Sequence, residues 1–403
     1  MRRSILSLLA CLSLLSPVSA AGAGLPAPEI PPGEHRPGDT GDALVRLRVD
    51  GIDDLWDFVD DWERAGARFP HVYPPDVLIG DVPERIERAL SEDPRVERLF
   101  RKEAALAAKS AGARDLLVDS WSAELGAPPP EPAKQDAPFG DLLLGPAFDP
   151  SAPLPESGVN KTTGGLVRKY GSAFGASMIQ TSELLMGKVV VGVFLPDAAG
   201  GAYSDPEIST VYQSVRGAMD FWAGKARYPG VRFVYDLRTK IPCSRNFHTT
   251  PPHLNNKAWV AEILESIGYD LFLKGTEYGP VYEYLDSLRV RTRSEWGVVF
   301  FIPKATYFPG APYTAYAYLG GPFLVVPSGS NGRVTPHGSG SMGLSDLVIH
   351  ESGHLFWALD EYEPGAGTSQ PCHVRSGYLD IQNRNSLYHD YSCDRHVPCA
   401  MDN

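Results

Sequence analysis

The stretch GKVVVGVFLP, residues 187–196, constrains the fold more than any other. It is an almost continuous apolar run, and such a strand is stable only when both of its faces are covered. A second run of the same kind, WGVVFFIP at 296–303, reads as a further buried strand. Between them, Ile208, Val211, Val215, Met219 and Trp222 share one helix face, after a capping-box start at Ser204-Asp205-Pro206-Glu207. VRFVYDL (231–237) follows as a strand, and Trp259, Ile263, Leu264 and Ile267 mark another helix. The order strand, helix, strand, helix, strand predicts a layered α/β domain. With 403 residues and 43% hydrophobic content, the chain has room for that domain and a smaller one.

The segment LSDLVIHESGHLFWALDEY, 344–362, follows these elements. His350 and His354 are four residues apart, so a helix puts them on one face about a turn from each other. Two imidazoles at that spacing can reach one zinc ion, and Glu351 between them is placed to act as a general base. The bland alternative is a pair of satisfied core histidines on an amphipathic helix. Asp360 is the eleventh position counted from His350, and an aspartate oxygen is an acceptable third zinc ligand. Glu361 beside it is the alternative ligand.

The N-terminal region reads differently. Arg2 and Arg3, the apolar run Ile5 to Leu15 and Val18-Ser19-Ala20 give residues 1–20 the form of a secretory signal. Leu8-Leu9-Ala10-Cys11 fits a lipobox poorly, so a lipoprotein is the less favoured reading. Residues 43–105 show strand and helix patterns in the order β-α-β-α-β, which predicts a small α+β domain. Residues 106–180 include the proline-dense stretches GAPPPEPAKQDAP and FDPSAPLP and read as a linker region, leaving 181–403 for the second domain. Signal cleavage would leave Cys243, Cys372, Cys393 and Cys399, an even count that predicts two disulfides in an exported protein, with three connectivities open. The net charge of −12 argues against a nucleic-acid partner, and no other stretch is apolar enough to remain in a membrane after signal cleavage.

AYAYLGGP at 315–322, HESGHLFWALDEY, SGYLDIQNRNS at 376–386 and PCAM at 398–401 together resemble the secreted bacterial IgA-peptidase-like metallopeptidases, a metzincin-type group. The resemblance covers roughly residues 185–403. It implies a metzincin-like α/β catalytic domain, a mixed sheet with an active-site helix, that holds Zn2+ through His350, His354 and Asp360. Glu351 would be the catalytic base, and a protein or peptide the substrate, not necessarily an immunoglobulin. Met401 would form a methionine turn under the metal, pinned by Cys399. The metzincin pattern carries glycine at its eighth position, where this chain has Trp357, a side chain that resists positive φ.

The small domain at 43–105 looks like the propeptide folds that precede many secreted peptidases, with latency by steric cover as its role. Residues 21–242 hold no cysteine that could act as a thiol switch. Only two residues follow Met401, so the catalytic domain reads as C-terminally incomplete or as building its pocket differently. Tyr362 and Tyr378 fit aromatic packing better than oxyanion binding, and His373, His389 and His396 read as surface residues. The alternatives to a peptidase are a metallohydrolase acting on a cell-wall amide and a non-catalytic zinc-containing binding protein.

Overall fold

The computed structural model describes residues 43–101, 177–199, 201–225, 231–272, 278–305, 315–330, 333–334, 343–361, 372, 374–377, 380–383, 393 and 400–401. The expected signal segment, most of the linker, Cys399, Tyr362, Tyr378, His373, His389 and His396 lie outside these residues.

The N-terminal stretch runs β1 (Ala43–Leu47), α1 (Ile52–Arg64), β2 (Arg68–Tyr73), β3 (Val77–Asp81), α2 (Glu84–Ser91) and β4 (Val96–Arg101). β1 lies between β3 and β4, and β3 is antiparallel to β2. The second stretch begins with β5 (Lys188–Ala198), α3 (Asp205–Lys225), β6 (Arg232–Cys243), α4 (Asn256–Glu265) and α5 (Gly279–Thr292). It continues with β7 (Trp296–Phe301), β8 (Tyr316–Ala317), β9 (Phe323–Val325), the short β10 (Gly329–Ser330) and β11 (Arg333–Val334), and α6 (Leu344–Leu355). A last small ribbon pairs β12 (Arg375–Ser376) with β13 (Ile381–Gln382).

Nine strands form one mixed sheet in the order β4-β1-β3-β2-β6-β5-β7-β9-β8. The five strands β2, β6, β5, β7 and β9 are parallel to one another, and β8 is an antiparallel edge. The apolar runs that predicted doubly covered strands are β5 and β7, at the heart of this parallel part. One face packs Val211, Val215 and Met219 of α3 with Leu344 and Val348 of α6. The other packs α1, α2, α4 and α5 through residues such as Phe58, Ile86, Trp259 and Tyr284. The α/β architecture expected from the sequence is therefore present.

Two features differ from the sequence reading. Residues 43–101 do not close a sheet of their own, because β2 pairs in parallel with β6, His71 opposite Phe233 and Val72 opposite Val234. And α5 had no sequence prediction: its inner face carries Glu283, Asp286 and Arg289, all buried, which disguise the apolar stripe. Arg289 donates there through Nη1 to the Gln180 carbonyl and through Nη2 to the Ser177 carbonyl and Asp286.

Candidate metal centre

The motif helix α6 is held at its start by the Asp346 carboxylate, which accepts the Gly343 N–H at 3.2 Å. Leu344, Leu347, Val348 and Leu355 pack into the core, and the face that follows them carries His350, Glu351 and His354 into the interior. All three are at most 5% exposed, and Asp360 is 1% exposed.

The two imidazoles have ring centroids 5.0 Å apart. His350 Nδ1 lies 3.0 Å from the Ala400 carbonyl, and His354 Nδ1 lies 2.7 Å from the Ala358 carbonyl. A carbonyl oxygen only accepts, so each Nδ1 carries its ring proton and each neutral ring turns an Nε2 lone pair the other way. Those lone pairs meet Asp360, whose Oδ1 is 3.1 Å from His350 Nε2 and 3.3 Å from His354 Nε2. His350, His354 and Asp360 thus each offer a ligand atom within 4.8 Å of the others. Glu361 is not in this group; its backbone N–H donates to the Met401 carbonyl at 2.9 Å.

Three acceptors facing one another are mutually repulsive unless positive charge lies between them. His354 Nε2 and both Asp360 carboxylate oxygens are buried with no hydrogen-bond partner, a costly arrangement for a closed core. The titration behaviour shows how strongly this group draws positive charge, here that of a proton on the imidazoles. Burial alone would raise the Asp360 carboxyl, yet the His354 and His350 imidazoles outweigh it and hold that carboxyl well below the usual range. Burial opposes a charged His354, but the Asp360 charge prevails and raises its proton affinity. The orphaned atoms and the N,N,O donor set fit a tetrahedral divalent cation such as zinc, with one position open. The carbonyls on each Nδ1 are the outer partners that fix a ligating histidine's tautomer.

Glu351 stands beside this group with Oε2 buried and unpartnered. Burial pushes its carboxyl up to about 8, and the Asp360 charge adds to the rise, which only a positive charge placed at His350 would oppose. Below the helix lies Met401, 5% exposed. A Cβ on Gly353 would come within 2.6 Å of Met401 Sδ and 3.2 Å of Trp222 Cζ2, so the glycine lets both side chains press on the helix between the two histidines.

The turn from His354 to Asp360 answers the question raised by Trp357. That residue does adopt positive φ, at 71°. The turn is fastened by the Phe356 and Ala358 N–H groups on the Gly353 carbonyl, both at 3.0 Å, and by the Ser376 hydroxyl, which donates to the Trp357 carbonyl at 2.6 Å. The indole fills the room left by two glycines. A Cβ on Gly320 would be 2.2 Å from Trp357 Cζ2, and one on Gly377 would be 3.0 Å from Trp357 Cβ. Tryptophan can occupy the glycine position because Gly320 and Gly377 are empty around it.

Sequence reasoning missed the two carbonyls at Ala358 and Ala400, which are backbone groups and leave no residue signal. It placed Trp222 on the shared face of α3 but not against the motif helix, where its Nε1 donates to Ser352 Oγ at 2.8 Å. Of the expected disulfides, Cys372–Cys393 is present with Cα atoms 5.3 Å apart. Cys243 is a buried free thiol, which corrects its assignment to a second bridge. Among the described residues, no helix is long and apolar enough to cross a membrane.

No family profile matches the sequence, and no curated protein matches it either. Among solved structures, the crystal structure of myroilysin aligns at 16% identity over 53% of this chain and 69% of that one, with a TM-score of 0.18, an overlap too slight to carry an argument.

Proposed function

We propose that this chain is a secreted zinc-dependent endopeptidase of metzincin type. The observation that carries the reading is the convergence of two histidine Nε2 lone pairs and an unpartnered, buried Asp360 carboxylate beside a buried glutamate. His350 and His354 would hold the ion through Nε2, and Asp360 through its carboxylate. Glu361 is the weaker candidate for third ligand because its backbone is tied to Met401 and it lies outside the convergent group. Zinc held by such a set supplies a Lewis acid that polarises a carbonyl and lowers the pKa of a water.

The chain's own part begins with Glu351, which takes the proton of the attacking water and returns it to the leaving nitrogen. A carboxyl raised by burial suits a group that must both accept and release a proton. His350 and His354 keep their Nδ1 protons on Ala400 and Ala358, so neither ring competes with Glu351 for that transfer. The peptide substrate is supported by β8, an antiparallel edge strand paired on one side to β9 and packed near α6. An extended peptide adds to such an edge through its main chain.

Two variants test the reading. Glu351→Gln should keep one zinc per chain and lose at least about a hundredfold in peptide hydrolysis, the usual worth of a general base. His354→Ala should lose the zinc as well. Metal analysis paired with a casein or peptide-library assay, with and without chelator, reads both, and full activity in Glu351→Gln would sink the assignment.

A further inference from the structure

The stretch most like a detachable leader is residues 43–101, and its attachment is unlike that of a cover. Its strand β2 lies beside β6 in the middle of the sheet, so β6 has a sheet neighbour on each side only while β2 is present. From β2 to the edge strand β8 there are five strand steps, about 24 Å at the usual spacing. Residues 43–101 therefore occupy the end of the sheet opposite the metal centre.

The seam is buried and specific. His71 is fully buried; its Nδ1 is 2.9 Å from Tyr235 Oη and its Nε2 is 2.7 Å from Asp220 Oδ1. Tyr73 stacks on Tyr235 with ring centroids 4.5 Å apart. Trp56 Nε1 donates to the Thr292 carbonyl at 2.9 Å, and its ring carries the Lys188 ammonium 4.2 Å from its centroid. The Arg232 guanidinium is paired with the Glu63 carboxylate. One apolar cluster runs without a break from Phe58 and Phe69 to Val234 and Leu285. Removing residues 43–101 would strip a sheet edge, leave buried polar groups without partners and expose aromatic surface. Each of these costs free energy, and an unpaired edge also invites aggregation.

The same seam reaches the metal centre through one helix. Asp220 and Trp222 are two positions apart in α3; the first holds His71 and the second holds Ser352 of the motif helix. We infer that residues 43–101, with four of the nine strands, are a permanent part of the sheet, docked on β6 and α3 as a brace for the motif helix, and that a cut between Arg101 and Ser177 leaves the two pieces joined. This goes beyond the peptidase reading and does not depend on it, since its test reads association rather than turnover.

The experiment places a specific protease site in the full chain within residues 106–176 and cuts it to completion, as judged on a denaturing gel. The pieces should elute together at the volume of the uncut protein and melt in a single transition. Separate elution under native conditions, or an unchanged melting temperature for the C-terminal piece alone, would overturn the inference. A second version carries Trp56→Ala and Glu63→Ala, and should stay folded while uncut, as its melting transition before cutting verifies, because the tether keeps the two parts at high effective concentration. After cutting, its pieces should part at least tenfold more readily on dilution. Equal retention in the two versions would overturn the assignment of the seam.

Discussion

Trp357 concentrates the local strain of the candidate metal centre in one residue. A bulky side chain at positive φ costs about 1–2 kcal/mol against the right-handed alternative. The structure meets that cost by seating the indole over Gly320 and Gly377 and by fixing the carbonyl on Ser376. The turn then delivers Asp360 to the two histidines, and the Gly320 N–H donates at 2.9 Å to the His354 carbonyl from the loop after the edge strand. Gly320→Ala should therefore act on the turn from His354 to Asp360 from outside it. Its Cβ would collide with the rigid indole, and Gly320 itself has φ of 78°. The expected loss is about 2–4 kcal/mol of unfolding free energy, from overpacking added to backbone strain. Denaturant titration measures it, and a loss below about 0.5 kcal/mol, the range of an ordinary surface change, would mean that the indole does not sit in this slot. The pattern position of Trp357 was legible in the sequence as a conflict with a glycine turn. Its resolution was not, because Gly320 and Gly377 are distant in the chain and nothing local pairs them with Trp357.

At the scale of elements, α6 is presented by α3. Trp222 supplies the polar link, donating to Ser352 Oγ at 2.8 Å and to the Ile349 carbonyl at 3.2 Å, while its ring lies against Gly353 beside Met401. Trp222→Phe keeps most of the packing and removes the donor. Ser352 retains its own bond to Ile349, so the loss should be about 1 kcal/mol, the usual net worth of one hydrogen bond. The histidine positions should be unaffected and metal stoichiometry should stay at the unmodified level. Calorimetry with metal analysis checks both, and loss of the metal would show that α3 positions the ligands more directly than these contacts imply. The motif helix and the buried strands β5 and β7 were legible because their patterns are periodic and mostly apolar. Helix α5 was hidden by its buried Glu283, Asp286 and Arg289, charged residues that break the apolar stripe and whose buried partners for the guanidinium Nη atoms, Gln180, Ser177 and Asp286, leave no sequence signal.

At the scale of the whole molecule, local pattern says nothing about which strand lies beside which. The proline-dense stretch divides the sequence, yet β2 and β6 cross that division by pairing over more than a hundred intervening residues, a long-range contact without local signature. The same holds for the far end of the chain. Ala400 and Met401 return to the site, where one carbonyl takes the His350 Nδ1–H and the other takes the Glu361 N–H. They form a strap across both ends of the ligand segment: His350 on the helix at one side, and Glu361 beside Asp360 at the other. A cation drawn between His350, His354 and Asp360 would hold those two ends together and so stabilise the strap. Its removal leaves the acceptors to repel one another, and the strap should open before the sheet does. Hydrogen exchange with and without chelator reads this directly. The Glu361 amide, which donates to the Met401 carbonyl, should exchange at least tenfold faster after chelation, while the amides of β5 and β7 keep their protection. Equal protection of Glu361 in the two states would sever the proposed link between the metal and the end of the chain.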